Sequence, residues 1–168
     1  EEALQAMIRA HAQLGVWLDQ QISGGEAHVA LTVLHLERRT FGRMATEALA
    51  RERFDPAQHM LQPMDKYWDA RGLYAEAQGW VERCQDLLED ESGHPPAMDS
   101  EAGKLWLFMV GSQANRYLGA GDLERAEKTH DDIRIAFESE TSDRGRGYLA
   151  TAYHQLGRVA QERGDLAG

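Results

Sequence analysis

One cysteine, Cys84, stands in a chain of 168 residues, which excludes an internal disulfide and suits a reducing compartment such as the cytoplasm. Prolines number four, at 56, 63, 95 and 96, and strand-like alternation of apolar and polar residues is almost absent. Long apolar runs are missing too. Leu105-Trp106-Leu107-Phe108-Met109-Val110 is representative of the longest, so no segment spans a bilayer as a helix. Basic residues are few: 18 against 28 acidic, for a net charge of −10. The densest basic stretch, Arg38-Arg39 to Arg43, is interrupted by Phe41, so a phosphate backbone is repelled rather than held and nucleic acid is not an expected partner. The chain opens Glu1-Glu2-Ala3-Leu4, without an initiator Met or a signal-like stretch, and reads as an internal cut in a longer polypeptide.

What is present is helical periodicity. Apolar residues make up 42%, enough for a continuous core at this length. They recur at steps of three and four, as in Leu123, Ala126, His130, Ile133 and Phe137, or Ala30, Val33, Leu34, Phe41, Ala45 and Ala48. Punctuation divides the chain into seven helices, near 3–22, 26–52, 56–71, 73–90, 100–119, 122–138 and 146–163. Asp55 is the expected N-cap of the third, with Pro56 at its first position, and Pro63 should kink it. Asp99 or Ser100 caps the fifth, and Ser142-Asp143 leads into the seventh. The loop Glu91-Ser92-Gly93-His94-Pro95-Pro96 separates the fourth from the fifth.

Residues 149–166, Leu-Ala-Thr-Ala-Tyr-His-Gln-Leu-Gly-Arg-Val-Ala-Gln-Glu-Arg-Gly-Asp-Leu, carry an aromatic, a Leu-Gly pair and a Gly-Asp-Leu turn. These stand at the offsets of the first helix and turn of a tetratricopeptide repeat, which the segment resembles. Gly72 and Gly121 occupy equivalent turns, at intervals longer than the ~34 residues of such a repeat, so helices or loops are extended. The resemblance implies an all-α array of antiparallel helix pairs stacked as a right-handed superhelix. Residues 1–54 form a divergent helical pair, 55–90 and 99–138 form repeats, and 146–168 a truncated repeat whose uncovered stripe, Tyr153, Leu156, Val159 and Ala160, favours self-association. Small residues Ala77, Ala114, Ala126 and Gly157 are expected where paired helices approach, and large ones, Leu61, Trp68, Val81, Val110, Tyr117 and Tyr153, between layers. Asp65, Gln113 and His130 depart from the repeat pattern. Residues 26–90, including Leu36-Glu37-Arg38-Arg39, Leu61-Gln62-Pro63-Met64 and Tyr67-Trp68-Asp69-Ala70-Arg71-Gly72, are also similar to helical segments of bacterial signal-transduction ATPases of the NB-ARC/STAND type. No phosphate-binding loop is present in this chain.

Such an array is a scaffold or sensor that holds other proteins, and the resemblance implies no catalysis and no cofactor. Its concave face would carry His59, Gln62, Lys66 and Asp69 from one repeat, Phe108, Asn115 and Leu118 from the next, and Thr151, His154, Arg158 and Gln161 from the last. Lys66, Asn115 and Arg158 recur at one repeat position, a track of donors suited to a peptide or protein segment bearing an acidic group. A solvated inner face is an equal alternative. The competing class is an all-α bundle enzyme or metal carrier using two Glu-x-x-His sequences, Glu91 to His94 and Glu127 to His130. The first lies in a loop and the second has its His on the apolar stripe, so packed or solvated side chains are the simpler reading. The same holds for His28 and His35 on a polar face, for Cys84 on a stripe with Val81, and for Trp68 and Trp80 at core spacing.

Overall fold

The computed structural model describes residues 1–138 and 143–164, with side chains at 143 and 144 left aside. Those residues form seven α-helices and no strand: α1 (Glu2–Gly24), α2 (Ala27–Leu49), α3 (Phe54–Arg71), α4 (Tyr74–Leu88), α5 (Glu101–Gly119), α6 (Leu123–Glu138) and α7 (Asp143–Arg163). None is long and apolar enough to cross a membrane. The expected entry at Ser142 and the residues Asp165 and Leu166 of the last turn lie outside the described residues.

Glycine ends the helices where the sequence places it. Gly25, Gly72 and Gly121 all adopt positive φ, the left-handed conformation in which a Cβ would be strained. At Gly72 the next amide, Leu73 N–H, donates back to Trp68 O at 2.8 Å, and at Gly121 Asp122 N–H donates to Tyr117 O at 2.9 Å. Both satisfy carbonyls that the helix end would otherwise orphan. Ser100 caps α5 as expected, its hydroxyl oxygen accepting from Gly103 N–H at 2.9 Å. The start of α3 differs: Phe54 is already helical and Arg53 is the cap residue, so Asp55 and Pro56 fall inside the first turn. The reason lies upstream, where α2 stops at Leu49 and Glu52 takes φ 55, turning the chain before Asp55 is reached. Pro63 is buried within an unbroken α3.

The packing divides the chain into two compact units, Glu1–Ala77 and Gln78–Gly168. In the first, α1, α2 and α3 pack pairwise around Leu18, Leu34, Phe41, Met60, Tyr67 and Trp68, all essentially inaccessible. Gly15 lets α1 touch α3: a Cβ there would collide with the His59 carbonyl oxygen. Tyr67, buried at its ring, satisfies its hydroxyl with the His35 ring nitrogen at 3.0 Å, so His35 is not merely solvated. In the second unit α6 packs against both α5 and α7. Ala126, His130, Ile133 and Phe137 of the expected stripe are buried, with Tyr148 of α7 against Phe137 at a ring-centroid separation of 5.1 Å.

Three core expectations fail in this second unit. Tyr153 is 53% exposed, because α7 turns Ala152 and Val159 inward and Tyr153 falls on the adjoining face near Arg134. Gly157 is exposed, and a Cβ there would meet nothing within 4 Å among the described residues, so it permits no close helix approach. Trp80 is half-buried, its ring covered by the Arg83 guanidinium at 4.9 Å rather than by core. Ala77, Ala114 and Ala126 are fully buried, as their spacing suggests.

Candidate functional site

Helix periodicity brings Asn115 and Leu118 to one side of α5 and Arg158 to one side of α7, and the three line a single open groove of about 590 Å³. Gly119, Gln155 and Glu162 complete it. Asn115 and Arg158 are exposed and Leu118 is half-buried, so the groove offers an amide, a guanidinium and an apolar shoulder. Gln155 holds Arg158 by accepting from its guanidinium at 3.0 Å. The charge of Arg158 also reaches inward: with burial as the larger cause, it lowers the pKa of His130 on α6. Gln155 and Glu162 escape a reading by repeat position. Their signal is simple helical spacing, three before and four after Arg158, which puts all three on one face.

The other expected site residues are not in this groove. Phe108 is half-buried on α5, while Thr151, His154 and Gln161 are exposed on α7, the Thr151 hydroxyl donating to Gly147 O at 3.0 Å. His59, Gln62, Lys66 and Asp69 belong to α3 in the first unit. His59 is half-buried, with its ring 3.6 Å from the Asp55 carboxylate. Lys66 is committed within that unit, pairing with Asp19 at 2.8 Å and donating to Ser23 at 2.9 Å. It is therefore a tether between α3 and α1 rather than a waiting donor, a role that repeat position alone cannot reveal.

The Glu-x-x-His pairs do not converge. The Glu127 carboxylate accepts from Arg163 at 2.8 Å, whereas His130 is 4% exposed with its Nε2 unpartnered among the described residues. His94 is exposed and lies beside Asp90, which accepts from the backbone amides of Ser92 and His94 at 2.8 and 2.9 Å. Those amide bonds hold the Asp90 carboxyl below the usual carboxylate range. No group of three or more His, Cys, Asp or Glu side chains among the described residues is placed to hold a metal ion. Burial raises the Cys84 thiol to about 12, well away from the thiolate that nucleophilic chemistry requires.

A second and larger cleft opens in the same unit, about 740 Å³ in volume. Its floor is α5, its walls are α4 and α6, and the loop at 92–95 closes one end. Trp106, Val110, Gln113 and Tyr117 run along the floor at helical steps, and the walls are mostly polar, with Val81 on α4 and Ile135 and Ala136 on α6 as their apolar members.

The described residues thus form an all-α protein of seven helices, with two open grooves in its second unit. No protein-family model, curated protein or solved structure matches it.

Proposed function

We propose that this chain is a protein-interaction module, a helix-hairpin array similar to tetratricopeptide superhelices, that holds a segment of a partner protein in the α5–α7 groove. The observation that carries the reading is the convergence of Asn115, Leu118 and Arg158 from two helices on one groove. An exposed guanidinium beside an amide suits a carboxylate, since the planar fork of Arg matches its two oxygens. Leu118 offers apolar contact next to it, and Glu162 at the rim disfavours a second acidic group close by. Pairwise packing of α1, α2 and α3 and the packing of α6 against both α5 and α7 support the array, as do the glycine turns at 72 and 121. Binding rather than catalysis is the proposed role, with the chain serving as scaffold or sensor in a larger bacterial regulatory protein of the cytoplasm.

The test is co-purification of partners on the immobilised chain, followed by titration of the recovered partner against wild type and Arg158→Ala. Affinity should fall by about tenfold in the variant and fall for wild type as salt rises. Lys66→Ala should bind as wild type does, because Lys66 already has its carboxylate. Full affinity in Arg158→Ala, with helix content intact, removes the groove as the binding surface.

A further inference from the structure

The cleft over α5 carries charges of opposite sign towards its two ends. At one end Arg125 lies over the Tyr117 ring at 4.7 Å and is ion-paired with Asp122. Lys128 follows one turn further along α6, and its ammonium has no ion-pair or hydrogen-bond partner among the described residues. The far end is acidic. One oxygen of Glu89 accepts from the Trp106 indole at 2.7 Å and from the Gln85 amide at 2.8 Å. The second Glu89 oxygen has no partner among the described residues. On the opposite wall Asp132 also has neither a hydrogen bond nor an ion pair among them. Burial pushes the Asp132 carboxyl up, and the charges of Asp131 and Glu89 add to that push while Lys128 opposes it. Two carboxylates facing one cleft, one of them oriented by Trp106, form a seat for a cation.

Between the two ends lies Gln113, only 7% exposed and part of the cleft floor. Its side-chain oxygen accepts from Arg116 at 3.4 Å, while its amide nitrogen donates to nothing among the described residues. That nitrogen is not sealed from solvent, so it is a donor that a carbonyl entering the cleft can use in place of water. From Trp106 to Tyr117 the floor runs about 16 Å at the helical rise of ~1.5 Å per residue. That is the reach of about five residues in extended conformation.

We propose that this cleft binds an extended peptide segment of a partner protein that carries a lysine or arginine, its cation seated between Glu89 and Asp132 and a backbone carbonyl accepting from Gln113. Charge complementarity selects this occupant: the cation meets the acidic end, and an acidic residue three or four positions along the segment meets Lys128 and Arg125. The cleft shares α5 with the α5–α7 groove but none of its lining residues, and the proposal stands or falls independently of that groove.

Fluorescein-labelled seven-residue peptides on a Ser/Ala background test this, with one position varied among Arg, Lys, Gln and Glu and, in a second series, Asp placed four residues away. Fluorescence anisotropy should rank Arg and Lys above Gln and Gln above Glu, with Asp at the second position adding affinity. Glu89→Gln with Asp132→Asn should weaken the Arg peptide by about tenfold or more and erase the preference for Arg over Gln. Glu89→Gln retains an acceptor for the Trp106 indole, so the floor stays in place. The indole N–H resonance of Trp106, assigned by Trp106→Phe, should shift on adding the Arg peptide to wild type. Arg158→Ala should bind the Arg peptide as wild type does, which separates this site from the α5–α7 groove. Equal binding of Arg and Gln peptides, unchanged affinity in the double variant, or no binding and no indole shift at millimolar peptide would each overturn the proposal.

Discussion

Gly15 in the middle of α1 lies against the backbone of His59 in α3, so near that a Cβ would collide with the His59 carbonyl oxygen. Nothing flexible stands in the way: the neighbouring atoms are main chain, and main chain cannot swing aside. Gly15→Ala should therefore destabilise the protein by about 1–3 kcal/mol, although alanine is the better helix former. Gly157→Ala is the control, because its Cβ would meet nothing within 4 Å among the described residues and its helix gains about 0.5–1 kcal/mol of propensity. Urea denaturation of both variants checks the pair, and a stabilised Gly15→Ala would mean that α1 and α3 are further apart than described.

Ala126 is fully buried on α6 beside the rest of the stripe that ends in Phe137. Ala126→Leu should overpack the seam and cost about 1–3 kcal/mol, whereas Ala126→Ser should cost less because it adds little volume. Thermal melts followed by circular dichroism compare the two. Equal midpoints for wild type and Ala126→Leu would deny the seam.

The helices are legible in the sequence because their apolar steps and their stops agree. Gly72 and Gly121 are needed for left-handed turns, and Leu123 to Phe137 keeps one face over four turns. Helical spacing also accounts for part of the groove: Asn115 and Leu118, three apart on α5, line it together with Arg158 of α7. What resists a sequence reading is anything decided between helices. The partner of Lys66 is Asp19, distant in sequence, and no local pattern announces it. Tyr153 and Ala152 are adjacent and point about 100° apart around α7, so which of them is buried depends on how α7 faces α6. The cleft over α5 is hidden because its walls, α4 and α6, are separated in the chain by the helix that forms its floor.

The Lys66–Asp19 pair is partly exposed on both sides, 39% and 30% at the side chains. Its contribution should be small, about 0.2–1 kcal/mol, and should shrink in high salt. A double-mutant cycle with Lys66→Met and Asp19→Asn isolates the coupling. A coupling well above that range, or one that does not respond to salt, would argue that the pair is more deeply desolvated than its exposure indicates.

Cys84 is fully buried on α4 and its thiol is raised to about 12. A disulfide reagent attacks thiolate, of which almost none is present at neutral pH. Labelling should therefore be slow in the native protein and complete within the dead time in denaturant. The native rate should track urea concentration as the folded population falls. Immediate labelling without denaturant would place the thiol at the surface.

His130 is the group whose ionisation should be felt by the fold. It is buried on α6, its Nε2 lacks a partner among the described residues, and burial with the nearby positive charge of Arg158 lowers its pKa. A base whose folded pKa lies below the unfolded value of ~6.5 binds more protons when unfolded. Stability from this residue is therefore fully present above about pH 6.5 and declines as the pH falls below it, levelling off once the folded-state pKa has been passed. His130→Leu removes the titration and leaves the stripe apolar. Urea unfolding of both proteins between pH 7.5 and 4.5, with pH steps of about 0.5 spanning the histidine range, should show wild type losing stability relative to the variant on the acid side. The difference between the two should be constant above the unfolded-state value. Parallel stability curves across the whole range would show that His130 titrates as freely in the folded chain as in the unfolded one, and that the α6 seam is open to water.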